Sequence, residues 1–233
     1  MRARRLAWKR LLAALCSAAA CAAGQANSVT LPGALFDVVY DSVALGVWGA
    51  PTLAGGQIRF SPAGYEARSV DGQGEVLTSA RAALTLLPHA GVQLAGVVLG
   101  EQGPYRVDGR QSDVNVLGEL AVVFAADGVP GASAAVTPAG YFFPNTGATE
   151  SWSAAAALDF TAASAAQQAA GLTLTLDQTL QAYTRASDSG VRLAMIATSG
   201  ALSLQVSVVP ESGSGALLAL GLLLLAAACR RAP

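Results

Sequence analysis

Ala201-Leu202-Ser203-Leu204-Gln205-Val206-Ser207-Val208 alternates apolar and polar residues with a period of two. Successive side chains of a β-strand point to opposite faces, so this pattern makes a strand with one face in a core and one in water. Leu172-Thr173-Leu174-Thr175-Leu176-Asp177 repeats it. Working outward from these two, strands are expected at 35–45, 57–60, 64–70, 75–87, 92–99, 114–125 and 150–160. Asp188-Ser189-Gly190 separates 180–185 from 191–197 and predicts a hairpin that turns there. Turn formers stand between the other runs: Ser61-Pro62-Ala63-Gly64, Asp71-Gly72-Gln73-Gly74, Pro88-His89-Ala90-Gly91 and Asp127-Gly128-Val129-Pro130-Gly131. Many short strands punctuated this way predict an all-β fold, an antiparallel β-sandwich of Greek-key or jelly-roll type. Residues 162–170, rich in Ala and Gln, form the one stretch that reads as helical, and no solenoid or propeller period is present.

The two ends read differently. Residues 1–10 carry five positive side chains and no acid, 11–23 are uncharged, and small residues crowd 20–26. A basic end, an apolar middle and a small-residue exit predict a secretory signal over 1–26, cut after Ala26 with Ala22 or Gly24 as alternatives. Arg4-Arg5 fits a twin-arginine pattern poorly, and Cys21, a lipoprotein candidate, lacks a leucine three residues before it. At the other end, Val209-Pro210-Glu211-Ser212 and a Gly/Ser patch lead into an uncharged run that Arg230 and Arg231 close. Residues 213–229 at the helical rise span roughly 25 Å, enough for a thin bilayer core. Leucines on every face of 216–225 oppose a half-buried globular helix. The chain divides into a signal at 1–26, an ectodomain at 27–208 and a tail at 209–233.

Removing both ends changes the chemistry. Cys16, Cys21 and Cys229 all lie in the end segments, so 27–208 has no thiol for a disulfide. Its roughly 180 residues are enough for one sizeable core. It holds seven arginines, fourteen acidic residues and no lysine, a net charge of −7. With no basic patch to displace counterions, nucleic acid and anionic lipid are excluded as partners.

The order of motif, apolar helix and arginines resembles the sorting tail of PEP-CTERM proteins. The resemblance is carried by Val209, Pro210, Glu211, by Leu217, Leu218, Leu220 and Leu222 to Leu225, and by Arg230 and Arg231. It implies export in a Gram-negative bacterium and transient residence in the inner membrane. It further implies processing by an exosortase-type membrane protease and delivery to the cell surface or an extracellular biofilm matrix. The family's second proline is Ser212 here, so one of two constraints holding the acid extended is absent, which leaves slower cleavage or none open. A permanent single-pass anchor and a GlyGly-CTERM tail at Gly213-Ser214-Gly215 are alternatives. Residues 91–120 also resemble the bodies of some PEP-CTERM proteins, in which a Gly–aromatic turn, here within 103–107, joins two strands. The family supplies no active site.

Few residues suggest catalysis. His89 is the one histidine, which rules out a multi-histidine metal site, and no cysteine is near for a zinc site. A Ser–His–Asp arrangement needs only one histidine, but no Gly-x-Ser-x-Gly elbow presents a serine, and a turn histidine is the expectation. Asp71-Gly72-Gln73-Gly74-Glu75 lacks the Lys-Ser/Thr of a phosphate loop. That segment, or 108–110 with Asp113, offers oxygen ligands for calcium without the spacing of a dedicated loop. Neither a metal nor a cofactor is expected. Aromatic residues remain: Trp48, Trp152, and Tyr141, Phe142 and Phe143 in the long irregular stretch 127–151. Flat rings on loops grip sugars or partner surfaces, or else cap the ends of a core. The expectation is a non-catalytic surface or matrix protein with structural or adhesive work, exopolysaccharide being a candidate partner. A secreted carbohydrate-active hydrolase using two carboxylates is the alternative.

Overall fold

The computed structural model describes residues 27–139, 143–185, 192–199 and 202–210. The signal segment with Ala26, the tail from Glu211 onward with the span 213–229 and Arg230 and Arg231, Tyr141 and Phe142, and the Asp188-Ser189-Gly190 turn lie outside them. Among the described residues no helix is long and apolar enough to cross a membrane.

Two antiparallel sheets share one core. From edge to edge, the first consists of β1 (Ser28–Leu31), β2 (Phe36–Asp41), β6 (Gly74–Pro88), β12 (Leu172–Thr184), β8 (Ser112–Phe124) and β9 (Pro130–Ala135). The second runs β10 (Thr137–Pro138), β11 (Thr149–Asp159), β7 (Val92–Asp108), β14 (Leu202–Pro210), β4 (Gln57–Phe60) and β3 (Thr52–Ala54). β14 lines one edge of β7 from Val92 to Gly100, and β13 (Leu193–Ala197) lines it from Tyr105 to Asp108. β5 (Glu66–Val70) pairs with β13. The inner faces of both sheets fill a single hydrophobic cluster, as a two-layer sandwich requires.

β12 lies at the centre of the first sheet, bonded along its whole length to β6 and β8. Its inward row is Leu172, Leu174, Leu176, Gln178, Leu180, Ala182 and Thr184. A buried leucine contributes about 2 kcal/mol of transfer free energy, and an unpaired polar group at the same position costs a comparable amount. Gln178 therefore interrupts the apolar pattern, and the sequence reads two strands, 172–177 and 180–185, where the structure has one. β7 is longer than its predicted 92–99 for the same reason: Glu101 and Gly103 occupy inward positions in a strand that continues to Asp108.

Three expectations are corrected. The Gly–aromatic turn within 103–107 is the interior of β7, and the chain turns instead at 109–111, where Gly109 and Gln111 both have positive φ. Pro104 is tolerated there because it pairs with Ser151 on one side and lies in the gap between β14 and β13 on the other. The irregular stretch 127–151 contains β9 and β10, edge strands whose Pro, Gly, Ala and Ser content hides any alternation. The last strand does not stop at Val208: Val209 and Pro210 continue β14 opposite Gln93 and Val92. The helical stretch condenses to one short helix, α1 (Ala165–Ala170), with Ser164 and Gln167 in a reciprocal capping box.

Candidate functional site

Of the aromatic candidates, Trp48 and Trp152 are buried in the core. Trp48 ends a single 3-10 turn, Gly46–Trp48, is wholly buried, and packs on Tyr65 and Phe60 with ring centroids 5.0 and 6.4 Å away. Trp152 is buried on β11 over Gly103 and donates from Nε1 to the Ala197 carbonyl at 2.9 Å. Trp48 has no exposed face, and Trp152 keeps only a sliver of surface, at the cleft it shares with Phe143.

Phe143 is placed otherwise. It is half-buried and meets Tyr105 edge to face at 4.9 Å. Phe143, Tyr105, Pro138, Pro144 and Trp152 line a cleft of about 200 Å³. The Tyr105 hydroxyl donates to Glu150 Oε2 at 2.8 Å, and Thr146 donates to Oε1 at 2.6 Å. These two hydroxyls hold the Glu150 carboxyl below its usual range, the Thr146 bond contributing most, while burial and Glu150 push the Tyr105 phenol up to about 12. Glu150 is thus a fixed anion, unsuited to donating a proton.

A separate trough lies beside the cleft on the outer face of the second sheet. Ala139 and Ser153 border both. The trough, about 470 Å³, lies over Gly100, which stands between Ala155 of β11 and Ser203 of β14. Its facing side chains, Gln102, Thr137, Ser153 and Ser203, are uncharged amide and hydroxyl groups. The missing side chain at Gly100 and the methyl of Ala155 set its floor. Apart from Phe143 and Trp152, sequence reading missed this site. The trough residues are ordinary outward positions on four strands, β7, β10, β11 and β14, and register alone gathers them.

The charged candidates do not assemble. His89 Nε2 contacts Asp37 Oδ1 at 3.0 Å, and this bond, with the Gly33 N–H, lowers the Asp37 carboxyl. Among the described residues no serine hydroxyl bonds to His89. Asp71 accepts from the Arg192 N–H at 3.0 Å, and Asp108 pairs with Arg106 at 3.1 Å. No group of three or more His, Cys, Asp or Glu side chains gathers among the described residues. The exception on the surface is Asp177, directly opposite Glu119 on the neighbouring strand and 3.6 Å from Arg81, the three lining one open hollow on the outer face of the first sheet. Glu101 is the exception in kind: it borders the trough through its place on β7, but its side chain is buried on the opposite, inward face.

No protein-family model and no curated protein matches the chain. Among solved structures it is similar to infectious bursal disease virus of the Gx strain, at TM-score 0.38 and 10% identity over 71% of this chain and 33% of that one. It is also similar to the VP2 subviral particle of the same virus, at TM-score 0.30 and 11% identity over 78% of this chain and 42% of that one. The chain therefore spans well under half the length of these matches.

Proposed function

We propose that the chain is an exported, non-catalytic surface or matrix protein that holds a neutral polysaccharide in the groove running from Gly100 to Phe143. Its tail delivers it through an exosortase-type protease, as the resemblance implies. We also read the strand order, with β12 between β6 and β8, as Greek-key-like. One observation carries the binding reading: a trough lined by one amide and three hydroxyls, bordered at Ala139 and Ser153 by the cleft that holds Phe143. Sugar hydroxyls exchange hydrogen bonds with such amides and hydroxyls, and a sugar's C–H face packs against an aromatic ring. Because the facing side chains are uncharged, ionic strength has little to screen.

The test is retention of the protein on insoluble neutral and acidic polysaccharides. Binding to a neutral polymer is expected, unchanged between about 0.05 and 0.5 M salt. Gln102→Ala and Phe143→Ala are each expected to weaken it by about tenfold, near the cost of one hydrogen bond or one ring contact. Retention that salt abolishes, or that both substitutions leave intact, refutes the groove. Polymer cleavage lost on changing one Asp or Glu refutes the non-catalytic reading.

A further inference from the structure

Two polar side chains meet where the sheets face each other. Glu101 points inward from β7 and Gln178 inward from β12, each only 3% exposed. Both carboxyl oxygens lie within hydrogen-bonding reach of Gln178 Nε2. Gln178 Oε1 is buried with no partner. An ionised carboxylate has no proton to give that oxygen, and a buried unsatisfied carbonyl bears its full desolvation penalty. A neutral carboxyl has one. Rotation about the Gln178 Cγ–Cδ bond turns Oε1 to the carboxyl. The Glu101 O–H then donates to Oε1, and Gln178 Nε2–H donates to the remaining Glu101 oxygen. Every polar atom of the pair is then satisfied.

We propose that Glu101 is carried as the neutral acid, and that the Glu101–Gln178 pair is a proton-dependent clasp between the two sheets, closed in mildly acidic surroundings. When the proton leaves to solvent, the O–H···Oε1 bond is lost and an anion is stranded in the core. The clasp sits where backbone pairing is thinnest, because β14 leaves β7 at Gly100 and β13 joins it only at Tyr105. The groups facing Glu101 fit this. Tyr65, 1% exposed, donates from its hydroxyl to the main-chain carbonyl of Gln178 at 2.8 Å. Burial first, and Glu101 second, raise its phenol, so it stays neutral as a fixed donor. From β11 the paired residue is Ala154. Asp177, Glu119 and Arg81, next to Gln178 along the sheet, occupy its opposite, exposed face. Burial pushes the Glu101 carboxyl up to about 7, against the opposing bond from Gln178.

Two measurements on the full chain in mild non-ionic detergent test the clasp. In denaturant unfolding, the wild-type unfolding constant should rise roughly a hundredfold between pH 5 and pH 8, the linkage expected of a carboxyl raised this far. Glu101→Gln, which keeps a donor and an acceptor without a titrating proton, should remove most of that rise. Equal pH slopes for the two proteins overturn the proposal. Difference infrared spectroscopy on the wild type needs no variant to fold. A buried carboxylic-acid C=O band that disappears with a midpoint near 7, and is absent from Glu101→Gln if that variant folds, supports it. A Glu101 carboxylate already ionised at pH 5.5 overturns it.

Discussion

At Gly103 a single hydrogen decides how the second sheet closes. A Cβ at this position would lie 1.9 Å from the Ala197 carbonyl oxygen and 2.9 Å from Trp152 Nε1. That carbonyl is the acceptor of the Trp152 indole, so the glycine lets the end of β13, the ring and β7 occupy one small volume. Backbone oxygen cannot move aside as a flexible side-chain tip does. Gly103→Ala is therefore expected to cost about 3 kcal/mol, at the upper end for overpacking a core, measured as a drop in the urea midpoint at unchanged slope. A midpoint within experimental scatter of wild type would mean that the sheet relaxes around the methyl group. Little of this was legible in the sequence, where Gly103 beside Pro104 reads as a turn. The conflict is physical: glycine and proline favour turns locally, but here one serves a close approach and the other a break in pairing.

Strands with clean alternation were legible. β4 lies at the predicted 57–60, and β6, β8 and β11 lie within two residues of theirs. Strands interrupted by inward polar residues, β7 and β12, were foreshortened or split, because a period-two reading cannot distinguish a core Glu or Gln from a strand end. β1, β3, β9 and β10 were missed because short edge strands bury too little to impose a pattern. At the predicted tail the last strand runs two residues into the motif. Val209 and Pro210 look like part of a linear motif but are bonded to β7, with a register shift at Ser207/Val208. From Ser207 onward no residue of β4 pairs with β14. Val209, half exposed, thus enters the motif as extended chain held on one side. If the tail is processed, the cut is expected beyond Pro210, leaving β14 whole. Peptide mapping of the protein from its native host checks this: no peptide should span 212–218, and the mature C-terminus should lie after Pro210. An intact tail would indicate permanent anchoring, and an end before Val209 would mean that the last pairs of β14 are dispensable.

Across the whole molecule, two groups of carboxyls oppose each other in pH. Asp37 is lowered by His89 and the Gly33 N–H, Glu150 by the Thr146 and Tyr105 hydroxyls, and Asp159 by bonds from Thr161. A depressed carboxyl stabilises the fold above its unfolded value, near 4, and that contribution is lost as pH falls through its folded value. Glu101 works in the other direction. Raised from 4.5 to about 7, it favours the fold fully below 4.5 and loses that contribution as pH rises to 7. The difference corresponds to something on the order of 3 kcal/mol, a large share of a domain's net stability. The other three are solvent-exposed, so their pull on the acid side is weaker and screened by salt. Stability should therefore peak at roughly pH 4–5, between the two windows, fall through pH 6 and reach a lower plateau above 7. An acidic, lysine-free body such as residues 27–208 would ordinarily gain nothing from mild acid until its surface carboxylates began to protonate, so a decline that is complete by pH 8 isolates the interior group. Urea midpoints at pH 3, 5 and 8 decide it: the highest is expected at 5, and added salt should narrow the gap between 3 and 5 far more than the gap between 5 and 8. A midpoint that keeps rising from 5 to 8 would mean that Glu101 is ionised in the folded protein at no cost, and the two sheets would then have to be held together without its proton.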